Sequence, residues 1–258
     1  MNSLNRIIAI AKNTFRETLR DRILWSALVV SLVLIAVALF AGSISLGQEK
    51  RLLVNIGLSA IYILQIFVAI FIGSMLIWKE VDRKSFFLII PKPITREEII
   101  MGKCAGLLLT NIAVTSIATT VLFALFAFKG VHEYYVLTLL SIGLSLLESL
   151  LLILLSILFS GLTSPILSAI YTIAFFLIGH SSEILRNLIS SAGNVATEFM
   201  LKCAYYLLPN LEKFNIRNEV VYGILPDMRG VAYSIGYALV YAIFLFFLAR
   251  FMFRSKEF

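Results

Sequence analysis

The sequence predicts an all-α integral membrane protein with six transmembrane helices and both termini in the cytoplasm (N-in/C-in). Hydrophobic residues fill 60% of the 258 positions, charged residues fill only 14%, and the mean hydropathy is +0.96. A soluble globular domain carries about 25% charged residues, so the composition excludes that class. We treat residues 1–258 as a single transmembrane domain.

Residues 1–22 predict a helix that lies along the inner membrane interface. Within this segment the apolar side chains recur at spacings of three and four, and basic side chains lie between them. The apolar set is Ile8, Ala11, Phe15 and Leu19, and the basic set is Arg6, Lys12, Arg16 and Arg20. A plain basic anchor for the first span is the alternative interpretation.

Six apolar runs are the predicted spans, since about 20 residues are enough to cross the hydrocarbon core. They are Ile23–Ser43, Leu52–Trp78, Cys104–Phe128, Tyr134–Ser160, Leu162–Gly179 and Val231–Ala249. The fourth and fifth form one apolar stretch that is too long for a single crossing. Pro165 divides it, because proline disfavours helix at the preceding Ser164 and suits the first turn of the next helix.

The distribution of Lys and Arg sets the predicted orientation. Fourteen of the 22 basic residues lie in the N-terminal segment, the loop 79–103 and the C-terminal tail, against eight in the other loops. Basic residues favour the cytoplasmic side, so the loop 79–103 is cytoplasmic and the loop 180–230 is extracytoplasmic. The loop 180–230 contains two stretches with the apolar spacing of a helix, Glu183–Ser191 and Val195–Leu208. We expect them to form short helices that lie on, or dip into, the outer leaflet.

The cytoplasmic loop 79–103 contains a helix-start signal. Thr95 and Glu98 fit a capping box, in which each side chain accepts from the other residue's backbone N–H. Pro91 and Pro93 hold the preceding chain extended. We therefore expect a short helix of about two turns, Arg96–Gly102, that leads into the third span. The alternative is that the capping box begins an overlong third span.

The order of these elements resembles the ABC-2 class of ATP-binding-cassette permeases. The similarity lies in an acidic and basic cluster after the second span, in the stretch Ile89–Glu98, and in Gly102-Lys103. The matching positions are Glu80, Arg83, Pro93, Arg96, Gly102 and Lys103, whereas Ser85-Phe86 departs from the family's Gly-Thr or Thr pair. Leu208–Phe214 also resembles a Leu-Pro-Asn-x-x-x-Phe stretch of the branch linked to multicopper-enzyme maturation.

The resemblance implies the permease subunit of an ATP-driven exporter in a prokaryotic inner membrane, working by alternating access. Arg96–Gly102 would be a coupling helix received by a separate ATPase subunit. Two permease chains, as a homodimer, and two ATPase chains would form one transporter. The implied partner-binding residues are Thr95, Arg96, Glu97, Glu98, Ile99, Ile100, Gly102 and Lys103, and the implied cytoplasmic gate is Glu80, Asp82 and Arg83.

The residues themselves argue that ATP is hydrolysed elsewhere. No Gly-rich phosphate-binding loop follows a strand, and no soluble stretch is long enough to house an ATPase. We therefore expect ATP and Mg on the partner, and no enzyme activity, cofactor or metal on this chain. His132, Glu133 and His180 lack the spacing of a zinc site. The net charge of +7 comes from span ends and not from a basic domain that binds nucleic acid.

Glu148 is the remaining candidate, because it falls near the middle of the fourth span. An ionised carboxylate there costs about 2.5–3.5 kcal/mol on insertion scales. It marks a substrate path or a proton site, or it forms a structural hydrogen bond to a neighbouring helix.

Two other classes of function stay open from the residues alone. A secondary transporter commonly shows internal repeats and broken helices, and neither is evident. An integral-membrane enzyme that modifies lipid needs acidic or histidine clusters at the inner interface, for which Glu80 and Asp82 give thin support.

Overall fold

The computed structural model describes residues 3–44, 48–76, 78, 95–190 and 194–254, and every regular element within them is helical. The α-helices are α1 (Ser3–Leu19), α2 (Arg22–Ile44), α3 (Glu49–Phe67), α4 (Gly73–Leu76), α5 (Arg96–Lys129), α6 (Tyr135–Ser160), α7 (Pro165–His180), α8 (Ser182–Ser190), α9 (Val195–Leu207), α10 (Arg217–Val221) and α11 (Met228–Arg254). Short 3₁₀ turns lie at His132–Tyr134 and Leu211–Phe214, and a π-helical turn at Val68–Ile72 joins α3 to α4.

Five helical stretches among the described residues are long and apolar enough to cross a membrane. They are Arg22–Gly42, Glu49–Leu76, Arg96–Lys129, His132–Ser160 and Met228–Met252. The predicted fifth span is the shorter apolar helix α7, Pro165–His180, of 16 residues. At 1.5 Å per residue it reaches about 24 Å, less than the hydrocarbon thickness of about 30 Å. The number of six spans and their orientation therefore stay predictions.

Helix α1 confirms the predicted N-terminal helix but ends earlier, at Leu19. Asp21 lies between α1 and α2, and its Oδ1 accepts from the Ile23 backbone N–H at 3.0 Å. The face of α1 that packs against the rest of the protein is built from small residues. It consists of Ala11, Thr14 and Thr18, whereas Ile8 is 55% exposed. The small buried side chains allow α1 to cross closely over the start of α5.

The expectation of a separate two-turn helix at Arg96–Gly102 is wrong, and the alternative of an overlong third span is right. Helix α5 runs without a break through 34 residues, from Arg96 to Lys129. No proline follows Thr95 within this stretch, so every residue after Gly102 keeps the backbone N–H that a continuous helix needs. The helix ends at Gly130, whose φ of 67° is left-handed and suits glycine.

The second span contains a π-helical turn, Val68–Ile72, which the apolar pattern did not predict. Just after it, Gly73 lies so close to Ser156 of α6 that a Cβ at Gly73 would overlap the Ser156 hydroxyl. The Ser160 hydroxyl donates to the Ser74 carbonyl at 2.7 Å. The Ser168 hydroxyl of α7 donates to the Ser156 carbonyl at 3.1 Å. Small polar residues thus bring the second, fourth and fifth apolar segments into close contact.

The segment 180–230 forms the two predicted short helices, now α8 and α9, and also contains a second part that the sequence did not predict. This part, residues 209–221, contains the Leu211–Phe214 turn and α10. Leu211, Phe214 and Val220 are each at most 1% exposed. Gly179, at the end of α7, packs so closely on Leu211 that a Cβ would lie 2.7 Å from its side chain. The segment is therefore built into the bundle.

Candidate functional site

The predicted capping box at the start of α5 is confirmed. Thr95 has extended backbone (φ −81°, ψ 152°), and its Oγ1 accepts from the Glu98 N–H at 3.3 Å. The Thr95 N–H donates in return to Glu98 Oε2 at 3.0 Å. Both bonds satisfy N–H groups that the first turn of a helix leaves unpaired.

Glu98 also binds the N-terminal helix. Its Oε2 lies 3.5 Å from Arg6 Nη1 of α1, and the residue is 6% exposed. The carboxylate that closes the capping box is thus turned inward. Glu98 therefore connects α1 to α5 and is not part of the exposed surface of the protein.

Glu97 forms the matching contact to the C-terminal helix. Its Oε1 lies 2.8 Å from Arg250 Nε of α11, and both side chains are nearly half exposed, at 42% and 49%. Together with Arg6 and Glu98, this pair defines the helix-start cluster, in which the first turn of α5 is tied to both ends of the described chain.

Other predicted partner-binding residues divide into exposed and buried ones. Thr95 and Arg96 are exposed, and Ile99 is half-buried. Ile100 is 2% exposed. Lys103 is also 2% exposed, and its Nζ donates to the Leu76 carbonyl at the end of α4, at 3.0 Å. Lys103 therefore ties the second span to α5 from inside the bundle.

Gly102 explains why α1 fits against α5. A Cβ at Gly102 would lie 2.6 Å from the Ile10 side chain, and one at Gly106 would lie 2.6 Å from the Ala11 carbonyl oxygen. Two glycines four residues apart let helices approach closely within a membrane. The predicted gate residues Glu80, Asp82 and Arg83 lie outside the described residues.

A second group of polar side chains surrounds Glu148, which is 1% exposed. The Tyr62 hydroxyl of α3 lies 2.9 Å from Glu148 Oε1 and 2.6 Å from His180 Nε2, at the end of α7. His180 Nε2 also lies 3.4 Å from Glu148 Oε1. We call Tyr62, Glu148 and His180 the buried triad. It joins the second, fourth and fifth apolar segments.

Arg217 connects the segment 180–230 to the buried triad. Its guanidinium lies 4.3 Å from the centre of the Tyr62 ring, in cation–π geometry. Its Nη1 donates to the Ser59 hydroxyl at 3.3 Å. Helix α10 is thereby held against α3 by a charged side chain that reaches toward the middle of the span.

Sequence reasoning found Glu148 but missed its three neighbours. His180 was considered only as a zinc ligand, and no group of three or more metal-ligating side chains lies within the described residues. Tyr62 and Arg217 gave no motif. One partner could be inferred on physical grounds. A carboxylate near the middle of a span needs a polar partner, and Tyr62 carries a hydroxyl group near the middle of another span.

The five long apolar helices define the class of this chain as a multi-pass membrane protein. In a comparison with known protein families, residues 8–255 match the family described as ABC-2 family transporter protein. The chain therefore belongs to the ABC-2 transporter family, whose members are membrane subunits of ABC transporters and normally work with an ABC ATPase. No curated protein matches the chain.

Proposed function

We propose that this chain is the permease subunit of an ATP-driven exporter, with the first turn of α5 as the point where the ATPase subunit engages it. The observation that supports this is the convergence at the helix-start cluster. Arg6 and Arg250 bind the adjacent residues Glu98 and Glu97. A force on this turn would reach α1, α5 and α11 together.

The proposed contact surface is smaller than the one expected from the sequence. Its members are the exposed Thr95 and Arg96, the half-exposed Glu97, and Met101, which is 45% exposed. Glu98, Ile100, Gly102 and Lys103 act behind this surface by fixing its position. The surrounding assembly we propose contains two ATPase chains and a second permease copy, in a prokaryotic inner membrane with N-in/C-in topology.

Transport would follow alternating access, in which closure of the ATPase subunits shifts these helices and rearranges the path past Glu148. Glu148 is the proposed substrate-path residue, because a buried carboxylate within a span is tolerated only beside protein, water or a proton.

Isolation of the chain with its partner tests the proposal. The tagged chain, extracted from native membranes, should carry a second polypeptide with ATPase activity. Arg96→Glu should reduce the recovered ATPase, while Lys12→Glu, an exposed charge change on α1, should not. Transport driven by an ion gradient without any ATPase would favour a secondary transporter and overturn the proposal. Turnover of a lipid substrate would favour a membrane enzyme instead.

A further inference from the structure

The hydrogen bonds of the buried triad link the positions of its protons to one another. Tyr62 has one hydroxyl hydrogen and two close partners, Glu148 Oε1 at 2.9 Å and His180 Nε2 at 2.6 Å. When Tyr62 donates to the carboxylate, it accepts from His180, so the imidazole carries its hydrogen on Nε2. The result is a chain of donors that runs from His180 through Tyr62 to Glu148.

Each end of this chain of donors has a buried atom without a hydrogen-bond partner among the described residues. These atoms are His180 Nδ1 and Glu148 Oε2. Buried polar atoms are normally paired, so each unpaired one needs an explanation. Both orphans here are groups that accept a proton. The triad can therefore take up a further proton.

The two ends of the triad differ in exposure. The His180 side chain is 22% exposed, whereas that of Glu148 is 1% exposed. Next to Tyr62 lies a cavity of about 10 Å³, whose polar lining includes Ser141, Ser145, Asn215 and Arg217. This is about the smallest volume that holds one water molecule. The cavity therefore borders the middle member of the triad, Tyr62, with polar groups.

We propose that the buried triad is a proton-binding site, which deepens the proposed transport role of Glu148 and rests on that proposal for its link to cargo. An incoming proton binds His180 Nδ1. His180 then gives its Nε2 hydrogen to the Tyr62 oxygen, and Tyr62 gives its own hydrogen to Glu148 Oε1. One proton has been taken up, the carboxylate has become neutral, and Tyr62 now donates to the bare Nε2.

The surrounding charges favour a proton over a metal cation as the ligand. Glu148 and His180 are two ligand groups, and catalytic or structural metal sites use three or four. The Arg217 guanidinium faces the triad from α10 and repels a second cation, and the charge of Glu212 on the Leu211–Phe214 turn also acts on Glu148. The Nζ of Lys213 lies over the Tyr237 ring, 4.2 Å from its centre.

Infrared spectroscopy of the purified full-length chain in lipid nanodiscs tests this site without any ATPase. As the pH falls, a carbonyl band of a protonated carboxyl group should appear. Glu148→Gln should remove that band. Tyr62→Phe should keep it but change both its frequency and its titration midpoint, because the carboxyl group loses its hydrogen-bond partner. His180→Gln should shift the midpoint.

The control is Glu133→Gln, which alters an exposed carboxylate paired with Lys50 and should leave the band unchanged. Should Glu148→Gln not fold, as judged by gel filtration, Tyr62→Phe alone decides. A band that persists in Glu148→Gln, or a Tyr62→Phe titration identical to wild type, would overturn the proposal. Failure to recover an ATPase would count only against the proposed function, because this titration needs no partner.

Discussion

The Arg6 guanidinium lies 3.5 Å from the Glu98 carboxylate, and through this pair the N-terminal helix is fixed to the capped first turn of the longest helix. The same carboxylate accepts from the Thr95 N–H. The Glu98 side chain therefore both caps the start of α5 and positions α1 against it. The arrangement of α1 on α5 depends on this residue.

Loss of Glu98 should therefore cost more stability than loss of its neighbour. Glu98→Ala removes the acceptor of the Thr95 N–H and leaves Arg6 without this partner, and a hydrogen bond to a charged group contributes about 1.5–3 kcal/mol. Glu97→Ala removes a half-exposed ion pair, for which about 0–1 kcal/mol is typical. Thermal unfolding in detergent should give the lower midpoint for Glu98→Ala. Equal midpoints would contradict the capping role.

Gly106→Ala should destabilise the contact between α1 and α5. The new Cβ would lie 2.6 Å from the Ala11 carbonyl oxygen, which belongs to the backbone and cannot rotate away. Overpacking of this kind costs about 1–3 kcal/mol. The matched control is Gly143→Ala in α6, where a Cβ meets none of the described atoms within 4 Å. Fluorescence-detected gel filtration after heating should show a loss for Gly106→Ala only.

Glu97→Lys should uncouple ATPase activity from transport while the chain still inserts normally. Its carboxylate is 42% exposed and lies in the proposed contact surface. The double variant Glu97→Lys with Arg250→Glu re-forms the ion pair with the charges exchanged. We expect it to recover thermal stability but not coupled turnover. Recovery of both would show that Glu97 acts only within the chain.

Cysteine labelling tests the predicted topology. In a background without Cys104 and Cys203, Asn218→Cys should react with a membrane-impermeant reagent in intact cells, because residue 218 is exposed in the predicted outer segment. Lys12→Cys, exposed on α1, should react only after the cells are opened. The opposite pattern would reverse the predicted orientation of the chain.

Arg217→Gln should loosen the segment 180–230. The change removes the cation over the Tyr62 ring and weakens the contact to Ser59. Val220 of α10 is 0% exposed, so Val220→Cys reports undocking of this segment. Its labelling rate should rise several-fold when Arg217→Gln is added. Arg229→Gln, an exposed change at the start of α11, is the control and should leave the rate unchanged.

Local features of this protein followed from the sequence, whereas contacts between distant segments did not. The capping box at Thr95 could be predicted because both partners lie within four residues. The burial of Glu148 could be predicted because charge is costly within a span. The continuity of α5 could also have been predicted, because no proline lies between Arg96 and Lys129.

The partners of Glu148 could not be predicted in the same way. Tyr62 lies 86 residues before Glu148 in the sequence, and His180 lies 118 residues after Tyr62. The contact of Tyr62, Glu148 and His180 depends on where α7 ends and on how α3 is rotated about its axis. Both are set by the packing of the helices against one another. The inward position of Lys103 has the same origin, because a basic residue beside a loop is ordinarily placed at the membrane surface.

The π-helical turn at Val68–Ile72 gives the second span one place where its length can change at little cost. An α-helix turns about 100° per residue, and a single π-turn absorbs one extra residue within an otherwise regular helix. Deletion of one residue inside this turn should therefore leave Tyr62 and Gly73 both facing α6. The same deletion between Tyr62 and Glu49 would instead rotate the start of the span away from its neighbours. A homologue that is one residue shorter at this turn can thus join its second and fourth spans through the same side chains.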